Sequence, residues 1–379
     1  MKIMFYSQHV LGIGHFFRSM EIARALKEHE VLFVEGGDPL PGFTPPVHVS
    51  RFLLTPLMMD AEFKSMTGRE GSLEEIKAER AKLLLEKFLD FAPQVFMTEL
   101  FPFGRRQFRF EVLPVLQLIS EQRMPTRVIC SLRDILVEKD GQAAYERWVL
   151  DILNRYYDLL LVHSDPRLIT LEETFTQVDE IRIPIHYTGF IARPMPTVIK
   201  EQRRKVIVAS SGGGKVGVDL LASAILAVHS MPDPYLLLRV FIGPFMEEAD
   251  HETLRTLAAK DTRTTLQPFS PDFPAELAAA DLSISMAGYN TCMDLISTGV
   301  RALVFPFPQN REQGLRAGKL ESLRLVRVID DLDAMALAQA IKDAMTLTIC
   351  PHGPDLDLGG ASKTAASINA HCPAAGYVT

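Results

Sequence analysis

The chain has 379 residues, of which 47% are hydrophobic and 23% are charged, and its formal net charge is −7. This length exceeds what one hydrophobic core normally fills, and the composition is that of a globular protein with two domains. The net negative charge argues against a nucleic acid or an anionic membrane as a partner that the whole surface binds. No apolar run approaches the length of about eighteen residues that a transmembrane helix needs.

The cysteines and the first residues indicate a compartment. The four cysteines, Cys130, Cys292, Cys350 and Cys372, are far apart and show no Cys-x-x-Cys spacing, which favours thiols in a reducing environment. The chain begins with the pattern of a core strand and lacks a charged leader followed by a cleavable apolar run. We therefore expect a cytoplasmic protein, and peripheral attachment to the inner membrane face stays open.

The first elements follow a βαβ pattern, with strands at Lys2–Ser7 and Val31–Glu35 and a helix at about His15–Lys27. The glycines of Gly12-Ile-Gly14, with Glu35 further along the chain, approach a dinucleotide-binding fingerprint. Phe17 takes the third glycine position, and a loop separates the first glycine from the strand. The pattern therefore disfavours an NAD site.

The same loop fits G-x-G-H-x-x-R, in which His15 and Arg18 lie at the start of the helix. Attack of a hydroxyl group or water on an electrophilic carbon is helped by a base whose pKa lies near 7, and histidine is the natural candidate. We therefore take His15 as the candidate base. A histidine that caps the helix or packs in the core is the alternative.

Polar residues follow two further predicted strands, at Gln94–Glu99 and Arg127–Leu132. Glu99 and Asp134 lie at the carboxyl ends of these strands, where parallel sheets bind ligands, so both are candidate catalytic acids. Arg105 and Arg106 are candidates for binding a phosphate group on an acceptor. Ordinary ion pairs for the acids, and an exposed helix start for the arginines, remain open.

The segment 186–196 has the glycine and prolines of a domain boundary, and a strand, a glycine-rich loop and a helix follow it. The loop offers backbone N–H groups to a phosphate, through Ser211, Gly212, Gly213, Gly214 and Lys215. It does not fit G-x-x-x-x-G-K-[ST], so it does not predict an ATPase. We expect domains at 1–190 and 204–350, and a C-terminal segment at 351–379.

The most informative stretch contains a strand at Asp281–Ser285, a glycine turn at Ala287–Asn290 and a helix at Thr291–Ser297. A helix N-terminus at the end of a parallel strand carries unpaired N–H groups and a partial positive charge, which suit a diphosphate. Thr291 and Asp294 also fit a capping box, which any parallel α/β protein can contain. On this helix alone, binding and purely structural roles are both open.

Taken together, these motifs resemble glycosyltransferase family 28 of the GT-B fold, which includes the N-acetylglucosaminyltransferase that forms lipid II. The resemblance rests on the glycine turn Ala287-Gly288, on Thr291 and Asp294, on the strand end Pro306-Phe307 and on Glu312-Gln313. The first loop is also similar to that of the UDP-sugar hydrolases of pseudaminic acid synthesis. The family usually has Glu where this chain has Asp294.

The resemblance implies an α/β fold of two Rossmann-like domains that face a cleft, with a C-terminal helix that crosses back to the first domain. It implies a site for a nucleotide-sugar, with UDP expected as the nucleotide. The residues that would contact this donor are Gly14, Arg18, Ser211, Gly212, Gly213, Gly214, Lys215, Phe269, Ala287, Gly288, Asn290, Thr291, Asp294, Glu312 and Gln313. Among them, Asp294 would hold the ribose, and Glu312 and Gln313 the sugar hydroxyls.

The expected function is transfer of a sugar from this donor to a hydroxyl acceptor, which is lipid-linked in some members of the family. Glycosyltransferases of the other main fold hold the donor diphosphate through a metal and an Asp-x-Asp pair. This chain has two such pairs, Asp331-Leu-Asp333 and Asp355-Leu-Asp357, but they lie at a helix start and in the C-terminal segment. We therefore expect a metal-independent reaction with no cofactor. A hydrolase that uses water at the same site, and a non-enzymatic nucleotide-sugar binding protein, are the alternatives.

Overall fold

The structure is a computed structural model that describes residues 1–8, 14–37, 43–59, 66–68, 72–136, 141–195, 197, 204–213, 216–346 and 355–372. The chain divides into two compact units. The N-terminal unit comprises Met1–Ile191 together with Asp357–Thr379, and the C-terminal unit comprises Ala192–Leu356. Within the described residues, no helix combines the length and the apolar character needed to span a bilayer.

The N-terminal unit contains a seven-stranded parallel sheet with the strand order β3-β2-β1-β6-β7-β8-β9. Two short strands, β4 and β5, pair with each other in antiparallel orientation and form a separate two-stranded sheet. The strands are β1 Lys2–Tyr6, β2 Glu30–Glu35, β3 Val49–Leu53, β4 Leu57–Met59, β5 Met66–Gly68, β6 Val95–Glu99, β7 Arg127–Arg133, β8 Leu159–His163 and β9 Ile185–Tyr187. The helices between them are α1 Gly14–Ala25, α2 Leu73–Phe91, α3 Arg109–Glu121 and α4 Gln142–Tyr156.

The C-terminal unit contains a six-stranded parallel sheet with the order β12-β11-β10-β13-β14-β15. Its strands are β10 Lys205–Ser210, β11 Leu236–Phe241, β12 Thr264–Gln267, β13 Leu282–Met286, β14 Arg301–Phe305 and β15 Arg327–Val328. Its helices are α5 Val218–Ser230, α6 Glu248–Ala258, α7 Phe273–Ala279, α8 Tyr289–Thr298, α9 Arg311–Ser322 and α10 Ala334–Thr346. Strands such as β10 are buried at every residue but the first, as expected for the nearly continuous apolar runs of a sheet covered on both faces.

The last helix, α11 at Gly360–His371, belongs to the N-terminal unit and packs against α1. A β-carbon on Gly360 would lie only 2.4 Å from the carbonyl oxygen of Gly189, so this approach requires glycine. The N–H of Phe190 donates to the carbonyl of Asp357 at 2.7 Å, and the N–H of Gly360 donates back to Phe190 at 3.0 Å. The return of the C-terminal helix to the first domain is thereby confirmed.

Strand order reverses direction at one point in each sheet, between β1 and β6 and between β10 and β13. In doubly wound sheets, ligands bind outside the carboxyl ends of the strands at this switch point. Glu99 ends β6, and Ser210 ends β10. Both groups of motifs predicted from the sequence therefore lie at a switch point of their own unit.

Candidate functional site

A histidine and a buried carboxylate meet at the switch point of the N-terminal unit. His15 is the second residue of α1, and its Nδ1 lies 2.7 Å from Oε1 of Glu99. An ionised carboxylate only accepts hydrogen bonds, so Nδ1 carries the hydrogen and the lone pair is on Nε2. The Glu99 side chain is fully buried, whereas that of His15 is 19% exposed, so the ring can still reach a ligand.

Arg18 lies one helical turn beyond His15 and donates from Nη2 to the same oxygen of Glu99. Burial by itself raises the pKa of Glu99, but His15, Arg18 and Arg105 outweigh this effect and hold the pKa well below its usual range. Burial lowers the pKa of His15 to about 3, and Arg105 and Arg18 act in the same direction against the opposing effect of Glu99. The pair at neutral pH is therefore a neutral imidazole on a carboxylate.

Arg105 lies in the loop after β6 and acts electrostatically on both members of this pair. Leu100 and Arg105 both have left-handed backbone conformations, with φ of 66° and 57°. Burial lowers the pKa of Arg105 to about 10, Glu99 opposes the shift, and Arg133 and Arg18 add to it. The Nε atom of Arg105 is buried and has no hydrogen-bond partner among the described residues.

Two other predicted residues of this region have different surroundings. The guanidinium of Arg106 stacks on the ring of Trp148, 4.6 Å from its centre, and lies 5.8 Å from that of Tyr145. Asp134 is fully buried, and its Oδ1 accepts the N–H of Ile135 at 2.9 Å. Of the two candidate catalytic acids, Glu99 forms the hydrogen bond with His15.

A second buried histidine lies nearby and had no role in the sequence analysis. His163 ends β8, and its ring nitrogens lie 2.7 Å from Oγ of Ser131 and 2.8 Å from Oγ1 of Thr188. Burial lowers the pKa of His163 to about 3. Ser131 pairs in register with Glu99, so this chain of polar groups supports the strand end that carries the acid. Polar residues at consecutive strand ends were the available signal.

The acidic residue of the dinucleotide-binding fingerprint has a structural partner in the folded chain. Glu35, which stands at the ribose-binding position of that fingerprint, is buried and accepts from Nε of Arg51 at 2.5 Å. Arg51 in turn lies over the rings of Phe16 and Phe43. The acid is therefore part of a packed ion pair.

The glycine-rich loop of the C-terminal unit follows β10 directly. The N–H of Gly212 donates to Oγ of Ser210 at 3.2 Å, and the carbonyl of Gly213 accepts from Phe245 at 3.1 Å. Oγ of Ser211 is buried and has no partner in the described part of the chain. Gly214 and Lys215, predicted to bind the donor, lie outside the described residues.

Helix α5 begins after this loop with Gly217 at its N-cap position, where φ is 96°. A β-carbon there would lie 2.6 Å from Sδ of Met286. Since the cap is glycine, it has no side chain that could bond the first N–H groups of the helix, and N–H groups of this kind can donate to an anion.

Helix α8 begins earlier than predicted, at Tyr289, with Gly288 as its N-cap. The capping box of Thr291 and Asp294 is therefore wrong, because Thr291 already lies in the first turn and Asp294 lies in the middle of the helix. Ala287 is fully buried, and Asn290 and Thr291 are half-buried. This helix start, like that of α5, follows a strand at the switch point.

Asp294 is bound to an arginine. Nε of Arg193 donates to its Oδ1 at 3.2 Å, and Nη2 of Arg193 donates to Oδ2. Arg193 also donates from Nη1 to the carbonyl of Pro271 at 2.8 Å. Burial raises the pKa of Asp294, and Arg193 partly offsets that rise. In this conformation the acid expected to hold a ribose is only 2% exposed and already has an ionic partner.

The residues predicted to contact sugar hydroxyls also support the fold. Glu312 is bound to Nη2 of Arg316 at 2.8 Å, and Arg316 donates from Nη1 to the carbonyl of Ala287 at 3.2 Å. Oε1 of Gln313 accepts the N–H of Phe307 at 3.0 Å. The fully buried Arg316, which the sequence analysis missed, therefore links α9 to the turn before α8. Its spacing of four residues from Glu312 was the available signal.

Phe269 lies just after β12, and its side chain is half-buried. It therefore lies at the carboxyl end of a strand, and its contact with the donor stays a prediction. Gly14, which is also among the residues predicted to contact the donor, is the first residue of α1.

Comparison with known proteins yields one family and several relatives. Residues 213–347 match the Glycosyltransferase family 28 C-terminal domain. A curated relative is the UDP-N-acetylglucosamine--N-acetylmuramyl-(pentapeptide) pyrophosphoryl-undecaprenol N-acetylglucosamine transferase of Rhodopseudomonas palustris (strain HaA2), which is 28% identical over 155 residues. The aligned part is 37% of this chain and 41% of the relative, so the chain matches about two fifths of that protein's length.

Solved structures resemble the chain over nearly its whole length. The calicheamicin glycosyltransferase CalG4 has a TM-score of 0.65 and 13% identity, with 97% of this chain and 98% of that chain covered. A protein of Listeria monocytogenes assigned as a UDP-N-acetylglucosamine 2-epimerase has a TM-score of 0.63 and 14% identity, with 98% and 96% covered. At such low identity, these likenesses establish the fold alone.

The chain is thus an α/β protein of the GT-B fold, and the predicted fold class is confirmed. Within that fold, residues 213–347 resemble the C-terminal domain of glycosyltransferase family 28. The resemblance drawn from the glycine turn, Thr291 and Pro306-Phe307 is therefore confirmed too.

Proposed function

We propose that this protein transfers a sugar from a UDP-sugar to a hydroxyl group of an acceptor. The observation that carries the proposal is the His15–Glu99 pair, at the switch point of the N-terminal unit of a family 28-like chain. A neutral imidazole whose Nδ1–H is held by a buried carboxylate is the arrangement of a general base.

The chemistry follows from this geometry. Nε2 of His15 takes the proton of the acceptor hydroxyl while the hydroxyl oxygen attacks the anomeric carbon. The bond from that carbon to the diphosphate breaks, and its electron pair leaves with UDP. Glu99 stabilises the imidazolium that forms, because its pKa is held low and it stays ionised.

The leaving diphosphate needs positive charge and hydrogen-bond donors. Support for its place comes from the glycine-capped start of α5, from the start of α8 at Gly288, and from the unpartnered Oγ of Ser211. Helix N-termini of this kind stabilise phosphate groups without an ion. We therefore propose that transfer is metal-independent, so a chelator leaves the rate unchanged and added divalent ions do not raise it.

Recognition of the ribose by Asp294 stays a proposal with a structural condition. The carboxylate is bound by Arg193, so a ribose reaches it only when the Arg193 side chain moves aside. Contacts of Glu312 and Gln313 to the sugar have a similar condition, because Arg316 and Phe307 hold their oxygens.

The relatives suggest where the acceptor is found. The names of the curated relatives include a pyrophosphoryl-undecaprenol acceptor, which is a lipid-linked molecule. On that basis we propose a lipid-linked hydroxyl acceptor and a peripheral position at the inner membrane face.

The test begins with binding of UDP, GDP, TDP and their common sugars to the full chain, followed by turnover with candidate alcohol acceptors. We expect UDP-sugars to bind, and the sugar to appear on the acceptor. His15→Ala should bind the donor with unchanged affinity and turn over about 10²–10⁴-fold more slowly. The exposed Arg109→Ala in α3 is the matched control.

Other outcomes would replace the proposal. Release of free sugar at the same rate with and without acceptor would identify a hydrolase. Conversion of the bound UDP-sugar to its C2 epimer would identify an epimerase, an activity assigned to a protein with the same fold. Binding without any turnover would identify a nucleotide-sugar binding protein.

A further inference from the structure

The edge strand β9 places a histidine beside the last helix. Side chains alternate between the two faces of a strand, and Ile185 and Tyr187 pack against the hydrophobic core of the N-terminal unit. His186 lies between them, so its side chain is directed to the opposite face, where its ring contacts that of His371 in α11. Strands β7 and β8 separate β9 from β6, which carries Glu99. The two histidines are therefore outside the candidate active site.

Helix α11 presents a polar stripe to this strand. Lys363, Ser367 and His371 are spaced four residues apart, so they lie on one face of the helix. Lys363 and Ser367 line a pocket of about 440 Å³, and His186 lines it from the side of β9. His371 ends the stripe at the last residue of the helix. It is exposed and His186 is half-buried, so a small ligand can reach both rings from solvent.

Both imidazoles have a lone pair to offer. Nδ1 of His371 lies 2.9 Å from the carbonyl oxygen of Ser367. A carbonyl only accepts hydrogen bonds, so Nδ1 carries the hydrogen and Nε2 carries the lone pair. Histidines that bind metal ions usually donate their other N–H to an acceptor of this kind. Burial lowers the pKa of His186, and His371 acts in the same direction, so this second ring is neutral at pH 7.

The spacing of the two rings suits a shared metal ion. Their centres are 4.5 Å apart and their planes meet at 76°. Two imidazoles that bind one ion at about 2.0–2.1 Å hold their ring centres roughly 4.5–5 Å apart, for the bond angles of octahedral and tetrahedral ions. The ring of His186 can turn about its Cβ–Cγ bond to aim a nitrogen at the ion. That torsion is broad in histidine, and no hydrogen bond to a residue that the structure describes holds the ring.

We propose that His186 and His371 bind one divalent transition-metal ion such as Zn²⁺, and that the ion fastens the end of α11 to β9. Imidazole nitrogens suit Zn²⁺, Ni²⁺ and Cu²⁺, whereas Mg²⁺ prefers oxygen ligands. Within the described ranges, no three histidine, cysteine or acidic side chains are grouped so that they could hold an ion, so water completes the coordination. The ion is structural and takes no part in the proposed sugar transfer.

The experiment measures binding of Zn²⁺, Ni²⁺ and Mg²⁺ by calorimetry to the full chain, without a histidine tag and after treatment with a chelator. We expect Zn²⁺ and Ni²⁺ to bind at this site and Mg²⁺ not to bind. Loss of a group that merely supports a metal ligand costs about 10–100-fold in affinity, so His186→Gln and His371→Gln should each weaken Zn²⁺ binding by at least this factor.

Two further variants serve as controls for binding. His251→Gln changes a partly exposed histidine of the C-terminal unit and should match the wild type. Lys363→Ala removes a positive charge from the same pocket, so it should bind Zn²⁺ at least as tightly as the wild type. Unfolding midpoints without metal show whether each variant folds.

The fastening of α11 gives a second measurement. Zn²⁺ at about a hundred times its Kd should raise the unfolding midpoint by about 5–10 °C, and only in chains that have both histidines. Hydrogen exchange of the amides in the last turn of α11 should become slower when Zn²⁺ is added.

Three results would overturn the assignment. Unchanged Zn²⁺ affinity in His186→Gln and His371→Gln would place any bound ion elsewhere, and the two rings would then form only an edge-to-face contact. Equal affinities for Mg²⁺ and Zn²⁺ would exclude imidazole ligands. A bound ion that changes neither the unfolding midpoint nor the exchange of α11 would refute the fastening of the helix.

Discussion

The pair of Arg193 and Asp294 offers the most direct test of the structure. The side chain of Asp294 is 3% exposed and that of Arg193 is 18% exposed, so their ion pair is largely removed from water. Arg193→Ala leaves the carboxylate buried without its cation. Removal of one partner from a buried pair costs about 3–5 kcal/mol. At about 2–4 °C per kcal/mol for a domain of this size, the unfolding midpoint should fall by about 6–20 °C.

The dependence on pH has a definite sign. Burial raises the pKa of Asp294 in the folded protein above the value of the unfolded chain, and the loss of Arg193 raises it further. Between the pKa of Asp294 in the unfolded chain and its pKa in the folded protein, the folded state binds more protons. The free energy of unfolding therefore decreases as the pH rises through this range. Arg193→Ala should therefore recover part of its lost stability on acidification from about pH 7 towards the unfolded-state pKa.

Two further variants isolate the cause. Arg193→Ala combined with Asp294→Asn removes the buried charge and should restore much of the stability. Arg239→Ala breaks a pair with Glu276 in which both side chains are about one third exposed, and it should cost less than about 1 kcal/mol. Urea and thermal unfolding monitored by circular dichroism give the free energies of unfolding of the wild type and of the three variants. If Arg193→Ala costs no more than Arg239→Ala, the argument from burial is refuted.

Three other predictions concern the proposed reaction. Burial holds the pKa of His15 at about 3, and a base works only when it is unprotonated, so kcat/KM for sugar transfer should stay level from about pH 7 to about pH 5. Arg105→Ala removes a charge that lowers this pKa, so the acidic limb of the profile should move to higher pH; an unchanged limb would exclude the coupling. Gly217→Ala places a β-carbon 2.6 Å from Sδ of Met286 in a left-handed backbone, so it should lower the unfolding free energy by about 1–3 kcal/mol and weaken UDP binding. Alanine at the open, similarly left-handed Gly141 is the control for backbone strain alone, and equal UDP affinities would contradict the role of the Gly217 turn.

The sequence by itself determined the two parallel sheets and the places where polar residues leave them. Apolar runs such as β8 and β10 can be buried only in a sheet covered on both faces, and glycine turns at strand ends mark where helices begin. That pattern was enough to select His15, Glu99 and the loop after Ser210. It also led to the family 28 resemblance, since its motifs lie in short continuous stretches.

What the side chains contact was decided by tertiary structure. Glu99 and His15 are far apart in the chain and become neighbours only because β1 pairs with β6. Asp294 fitted a capping box by its spacing, but α8 begins at Tyr289, and Arg193, distant in sequence, binds the acid. Arg106 was paired with Arg105 by adjacency, yet in the folded chain Arg106 stacks on Trp148. Local spacing fixes the backbone pattern, whereas ion pairs and buried charges depend on contacts between distant segments that spacing does not encode.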